Sequence, residues 1–187
     1  MQVSSDIQTI LTSCGKAEFL AHGFEKASLR VICRNAGVTT GAFYSHFKSK
    51  DELLRVILES DLGDVRSAVE AFAIPETHDA DALAKAENDF VMFGLAHRDS
   101  VKLLLDGAEG SSFSHYGQDL FERFHVAVRN FLDARETGFD PDVVYMVARI
   151  EYQRCLELFS CDYDESSVRK AIAALTTYAT AGLRTFA

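Results

Sequence analysis

The stretch Ser28-Leu-Arg-Val-Ile-Cys-Arg-Asn-Ala-Gly-Val-Thr-Thr-Gly-Ala-Phe-Tyr-Ser-His-Phe-Lys-Ser-Lys-Asp-Glu-Leu-Leu54 decides how this chain is read. Ser28 suits the N-cap of a short helix through Asn35, with Leu29, Ile32 and Cys33 turned inward. Gly37 closes that helix, and Thr39 or Thr40 can cap a second one through about Phe47. Two short helices joined by Ala36-Gly37-Val38 form a helix-turn-helix arrangement. Phe43 and Phe47 are four residues apart, so they share one side and can pack inward. The opposite side presents Thr40, Gly41, Tyr44, Ser45 and His46, small or hydrogen-bonding groups of the kind a major groove accepts. Lys48 and Lys50 follow. Between residues 24 and 50 five basic residues stand against one acid, Glu25, which makes a local cationic surface. Ser49 and Glu52 form a capping box that opens a long helix, expected to run to Phe72.

Outward from this segment the periodicity is helical nearly throughout, and no alternating strand pattern stands out. The first helix is expected from about Asp6 to Ala21, stopped by Gly23. Gly15 within it costs about 1 kcal/mol of helix propensity, with no compensating reason visible in the sequence. A break is expected around Pro75. Helices should follow at about 80–97 and 99–107, then a turn-rich segment, Asp106–Gly117. A helix over about 114–135 comes next. Asp140-Pro141 starts another, to about Ser160, with Asp as N-cap and Pro at the first helical position. Asp164 opens the last, to about Phe186. This gives an all-α chain of nine helices. A three-helix helix-turn-helix head occupies residues 1–50, and a helical bundle for ligand binding and dimerisation occupies residues 51–187.

Composition sets the limits. In 187 residues, 48% are hydrophobic and 25% charged, enough apolar content for a packed core. No apolar run reaches the roughly 20 residues of a membrane span. The start, MQVSSDIQTI, lacks the basic region of a secretory signal, so a cytoplasmic location is expected. The net charge of −9 argues against nucleic-acid binding for the chain as a whole. Its distribution is uneven, however: residues 1–55 carry a net +2 and residues 56–187 a net −11. Cys14, Cys33, Cys155 and Cys161 show no metal or disulfide spacing and read as buried thiols. No phosphate-binding loop, nucleophile elbow or metalloprotease motif occurs, so neither an enzyme nor a cofactor is expected. His115 and Asp119, one turn apart, are too few to argue for a metal.

The run Gly-x-Phe-Tyr-x-His-Phe-x-x-Lys-x-x-Leu-Leu, from Gly41 to Leu54, resembles the DNA-binding segment of the TetR (tetracycline-repressor-like) family of transcriptional regulators, and the likeness extends over about residues 7–57. The resemblance implies a ligand-responsive regulator, a repressor in most such proteins, that binds a pseudo-palindromic double-stranded DNA operator as a homodimer. It assigns Tyr44, His46 and Lys50 to the DNA backbone. Ser28 and Thr39 stand at helix starts, where N–H groups favour a phosphate. Arg30, Thr40, Gly41 and Ser45 match positions facing base edges, and Arg30 has the long forked donor that suits guanine. The family often carries a basic residue just before the first helix, where this chain has Ser4, Ser5 and Asp6.

The family also places a small ligand within its carboxy-terminal domain, and a small, mostly apolar effector is expected here. Phe90, Phe93, Phe113, Tyr116, Phe124 and Tyr152 are the candidates here for lining an apolar pocket. The last two helices are expected to form the dimer interface. Val143, Val144, Val147, Ile150, Leu156, Leu158 and Phe159 cover more than one face of the first, and a helix apolar on two sides needs two partners. Ala171, Ala174, Ala181 and Gly182 allow close approach on the second. The competing readings are a small helical ligand carrier or enzyme that uses the helix-turn-helix as scaffold, and a redox sensor working through Cys155 and Cys161.

Overall fold

The computed structural model describes residues 2–71, 80–133, 138–160 and 164–185. The described residues form ten helices and no strand: α1 (Gln2–Lys26), α2 (Leu29–Asn35), α3 (Thr40–Tyr44), α4 (Lys50–Leu58), α5 (Leu62–Ala71), α6 (Ala80–Ala96), α7 (Arg98–Leu105), α8 (His115–Asp133), α9 (Pro141–Ser160) and α10 (Glu165–Thr185). Four helix starts follow from one side chain each. Thr39 Oγ1 accepts from the Ala42 N–H at 3.1 Å, and Ser49 Oγ from the Glu52 N–H at 3.0 Å. Asp140 and Asp164 accept from the N–H groups of Asp142 and Ser167. Each satisfies an orphan donor of a helix's first turn. The Glu52 carboxylate reaches back to the Lys48 N–H, one residue before Ser49, so the box closes on the preceding residue. The break expected around Pro75 lies largely outside the described residues.

Gly23 has φ 71° and interrupts α1 one turn before its end. That left-handed geometry suits glycine. It turns the Phe24 N–H away from the helix ladder, and this donor bonds the Gly107 carbonyl at 2.8 Å. The head is closed by Leu11, Phe19, Ile32, Phe43, Phe47, Leu53 and Leu58, all fully buried. Its core therefore continues beyond residue 50, because α4 packs on α1. A Cβ on Gly15 would stand 2.6 Å from Leu53 Cδ2, so the glycine that costs α1 helix propensity lets α4 lie close against it.

The long helix expected from Ser49 to Phe72 is two helices, α4 and α5, separated by Glu59–Asp61. The cause is long-range. The Asp61 carboxylate accepts from Ser100 Oγ at 2.6 Å and from Ser60 Oγ at 3.0 Å, and lies 3.7 Å from His97 Nδ1. Its main-chain carbonyl accepts from Val65 and so opens α5.

In the body, α8 packs on α9 and α10 on α6. Gly94 sits against Phe159, whose ring would lie 2.3 Å from any added Cβ. Helix α9 is apolar on two sides. Val144, Ala148, Tyr152, Cys155 and Phe159 are buried, whereas Val143, Met146 and Ile150 are exposed, the last two at 62% each. On α10 Tyr178 is exposed at 78%. Among the described residues no helix is long and apolar enough to cross a membrane.

Candidate nucleic-acid interface

Helices α2 and α3 meet at the turn Ala36–Val38, where Gly37 adopts φ 68°. Phe43 and Phe47 are buried, their ring centroids 5.4 Å apart, and they fix the inner side of α3. The outer side is thereby determined. Thr40, Gly41, Tyr44 and Ser45 are exposed and His46 is half-buried. The Tyr44 ring meets Phe43 edge-on at 5.3 Å and the side chain is 59% exposed. Gly41 has room around it, with Thr39 Oγ1 3.7 Å from a built Cβ. Ser45 Oγ donates to the Gly41 carbonyl at 3.3 Å. Arg30 lies on the exposed side of α2.

Ser28 takes the N-cap position of α2, as expected, but its hydroxyl makes no capping bond. The Ser28 N–H donates instead to Glu18 Oε1 at 2.9 Å, which ties the start of α2 to α1. The hydroxyl stays available to an outside acceptor. Thr39 differs, because its hydroxyl oxygen is already used within α3.

Lys50 is placed differently from the other expected backbone contacts. Its ammonium donates to the carbonyls of Phe24 at 2.6 Å, Ala27 at 3.1 Å and Glu25 at 3.3 Å. It also lies 4.4 Å from the centroid of the Phe24 ring. Desolvation lowers its pKa, and the neighbouring Glu25 charge partly opposes this. The kink at Gly23 splays these carbonyls at the end of α1, where the helix dipole is negative, and Lys50 fills that position. Lys48, two residues earlier, has the exposed side chain. Spacing along the chain could not separate the two lysines, since only the tertiary position of the α1 end does so.

The six aromatics expected around a ligand are largely consumed by packing. Phe90, Phe113, Tyr116, Phe124 and Tyr152 are buried, and Phe93 stacks on His97 at 4.6 Å. Phe124 lies 6.5 Å from Phe90 and 5.9 Å from Tyr152, centroid to centroid. One cleft in the body, of about 530 Å³, takes Tyr152 alone from this set. It lies between the α7–α8 loop, α8 and α9, and polar side chains line much of it: Asp106, Glu109, Ser114, Gln118 and Arg149. Sequence reasoning named none of these five as ligand-lining, because single charged residues in separate helices give no local signal.

The loop over residues 106–114 also touches the head. Both the N–H and the hydroxyl of Ser112 donate to the Asp51 carboxylate, each at 2.7 Å. The Gly107 carbonyl takes the Phe24 N–H. The Arg55 guanidinium lies 5.6 Å from the Phe113 centroid. A further tie joins Lys16 of α1 to Asp99 of α7 at 2.7 Å.

Cys155 is 1% exposed, and burial pushes its thiol up to about 12. A thiol held neutral at physiological pH is a poor nucleophile, which removes one half of the redox-sensor reading; Cys161, the other half, lies outside the described residues. Among the described residues no three of His, Cys, Asp and Glu come together as a metal site.

The head thus presents to solvent the polar side of a helix-turn-helix, the arrangement that helix-turn-helix DNA-binding proteins share. Residues 11–57 match the model of the bacterial regulatory proteins of the tetR family. The chain is 35% identical over 85 residues to the HTH-type transcriptional regulator Rv1816 of Mycobacterium tuberculosis, covering 43% of this chain and 36% of that protein. With SrpR of Pseudomonas putida, also an HTH-type transcriptional regulator, it shares 50% identity over 42 residues, 22% of this chain and 20% of that one. These matches therefore span between a fifth and little more than a third of the relatives' own length. In fold the chain is similar to a Clostridium perfringens protein described as a fatty acid metabolism regulator, with TM-score 0.61 at 16% identity over 92% of this chain and 97% of that one. It is also similar to NalD of Pseudomonas aeruginosa, the secondary repressor of the MexAB-OprM efflux pump, with TM-score 0.52 at 20% identity over 96% and 98%.

Proposed function

We propose that the protein is a ligand-responsive transcriptional regulator, acting as a repressor, that binds a pseudo-palindromic DNA operator as a homodimer. One observation carries the reading. Phe43 and Phe47 are locked in the core, and this commits Thr40, Gly41, Tyr44 and Ser45 to solvent on a basic head. A helix of that size and chemistry fits a major groove. Arg30 reads a base edge; Tyr44, His46 and the free hydroxyl of Ser28 hold phosphates, and Thr39 fixes the start of α3. Lys50 keeps α4 and the end of α1 in register, so that these groups meet the duplex together. A DNA-binding regulator acts in the cytoplasm, where bacterial DNA is.

One α3 reads too few bases for specificity, so two heads are needed. Val143, Met146 and Ile150 of α9, and Tyr178 of α10, are exposed apolar side chains suited to contact with a second copy. Two helices from each subunit would make an isologous four-helix contact. An effector bound in the helical body changes operator affinity by favouring one spacing of the two heads over another.

Selection of bound duplexes from a random pool, followed by anisotropy titration at several salt concentrations, tests the reading. A symmetric site should emerge with half-sites about 10 bp apart, centre to centre. Tyr44→Phe should weaken binding to every sequence, and Arg30→Ala should relax preference at one position. If no duplex is bound more tightly than the random pool, the carrier or enzyme reading takes its place.

A further inference from the structure

The cleft between the α7–α8 loop, α8 and α9 carries charges of both signs that are left unspent. Asp106 and Glu109 lie on the loop side and Arg149 on the α9 side, with Gln118 between them on α8. All four residues are exposed, and none of their side chains makes a hydrogen bond or an ion pair with another described residue, so the acids and the guanidinium face one cleft without neutralising each other. Arg149 instead lies 5.4 Å from the centroid of the Phe121 ring, which forms part of the wall. Asp106 and Arg149 also act in opposite directions on the Tyr152 hydroxyl, which places both charges within its electrostatic reach. That hydroxyl donates to the Gly117 carbonyl at 3.0 Å and holds α8 against α9 at the floor of the cleft.

Separated, unpaired charges of opposite sign around a cavity suit a ligand that carries the same two charges the other way round. A purely apolar molecule would leave three charged groups partly desolvated with nothing in return. An anion would meet two carboxylates, and a simple cation would leave the guanidinium unanswered. We infer that this cleft is the effector site and that it takes a small zwitterion bearing an ammonium and a carboxylate, such as an amino acid or dipeptide: the ammonium goes to Asp106 and Glu109, the carboxylate to Arg149 and Gln118, and the side chain onto Phe121. The inference rests on the reading of the protein as a ligand-responsive regulator and names the ligand class of that response.

The cleft also has a mechanical output. The loop that supplies Asp106 and Glu109 supplies Ser112, which grips Asp51 at the start of α4 through two hydrogen bonds. It also supplies Gly107, which holds the Phe24 N–H at the kink of α1. A ligand that draws Asp106 and Glu109 inward pulls on both attachments, and so on the helices that carry α3.

The test uses the full chain and the twenty common L-amino acids with glycylglycine as probes, each compared with its amine lacking the carboxylate and its acid lacking the amine. Melting temperature and calorimetric affinity are read for each. At least one zwitterion should raise the melting temperature by roughly 5 °C at a hundredfold excess over Kd, and its two monopolar analogues should bind at least tenfold more weakly. Arg149→Met and, separately, Glu109→Gln should each weaken that binding about tenfold with the melting temperature of the free protein unchanged. Asp51→Ala should leave zwitterion affinity as it is and shrink its effect on operator affinity. The inference is overturned if no zwitterion binds, if an amine or acid alone binds as well, if both cleft variants bind normally, or if Asp51→Ala leaves the coupling intact. Operator affinity of the ligand-free protein is measured alongside. If it is present while zwitterions fail, the regulator reading stands and this inference falls. If it is absent while a zwitterion binds, the cleft is a zwitterion site, and the regulator reading falls together with the effector role.

Discussion

Replacing Lys50 separates two roles that the sequence alone assigns to one. The ammonium donates to three main-chain carbonyls, at 2.6, 3.1 and 3.3 Å, and sits 4.4 Å from the Phe24 centroid. Hydrogen bonds involving a charged group contribute about 1.5–3 kcal/mol, and a cation over an aromatic face about 0.5–1 kcal/mol. Part of this is offset by desolvation of the ammonium, which is why its pKa is lowered, and part by water reaching the carbonyls once the ammonium is gone. A net loss of about 2–3 kcal/mol is expected for Lys50→Met, which keeps most of the apolar stem. For a chain of this size that lowers the melting temperature by roughly 5–10 °C. Operator affinity should fall at every salt concentration alike, since a lysine that touches no phosphate releases no counterion. A phosphate-binding lysine behaves differently, because its loss reduces the slope of log K against log salt by about 0.9. Thermal unfolding by circular dichroism and anisotropy titration between low and high salt give both readouts. A melting temperature unchanged within about 1 °C, together with a slope reduced by about one, would refute the structural role and restore Lys50 to the DNA backbone.

Three further outcomes are expected. Asp61 has its carboxyl held below the ordinary 3.8, mainly by the Ser100 hydroxyl. A depressed carboxyl contributes stability above 3.8 that disappears as pH falls through its folded value, so the stability gap between wild type and Asp61→Ala, about 1–2 kcal/mol at neutral pH, should close below pH 3.8 in denaturant titrations. Gly94→Ala should cost about 1–3 kcal/mol through collision with the buried Phe159 ring, whereas Gly63→Ala, with nothing within 4 Å, should gain up to about 1 kcal/mol of helix propensity; equal effects in urea unfolding would contradict the packing. Ile150→Arg, on the exposed face of α9, should give a monomer at micromolar concentration by sedimentation velocity, with operator affinity reduced by at least tenfold, and an unchanged dimer would move the interface elsewhere.

The parts of the fold that sequence made legible are those decided within one turn of chain. Thr39, Ser49, Asp140 and Asp164 cap helices through bonds two or three residues long, and their meaning does not depend on the rest of the molecule. The inward side of α3 was equally legible from its apolar Phe43, although the helix expected through about Phe47 ends at Tyr44 and Phe47 is buried just beyond it. What sequence missed was decided at a distance. The break between α4 and α5 depends on Ser100, 39 residues beyond Asp61. Gly15 looked like a defect until Leu53 was placed against it. Lys50 could be placed only once the Gly23 kink had turned the end of α1 toward it. The aromatics of the body suggested a pocket by composition; most of them are buried, while one cleft is lined by polar side chains from three elements.

Cys33 and Cys155 give each half of the molecule its own clock. Both thiols are at most 2% exposed, one in the head and one in the body, and burial raises the pKa of each. An alkylating reagent therefore reaches either sulfur only when the surrounding helices come apart, so labelling rate measures local opening. Followed by mass spectrometry with and without operator DNA, the two rates would show which half the duplex stiffens, in the natural protein and without an added probe.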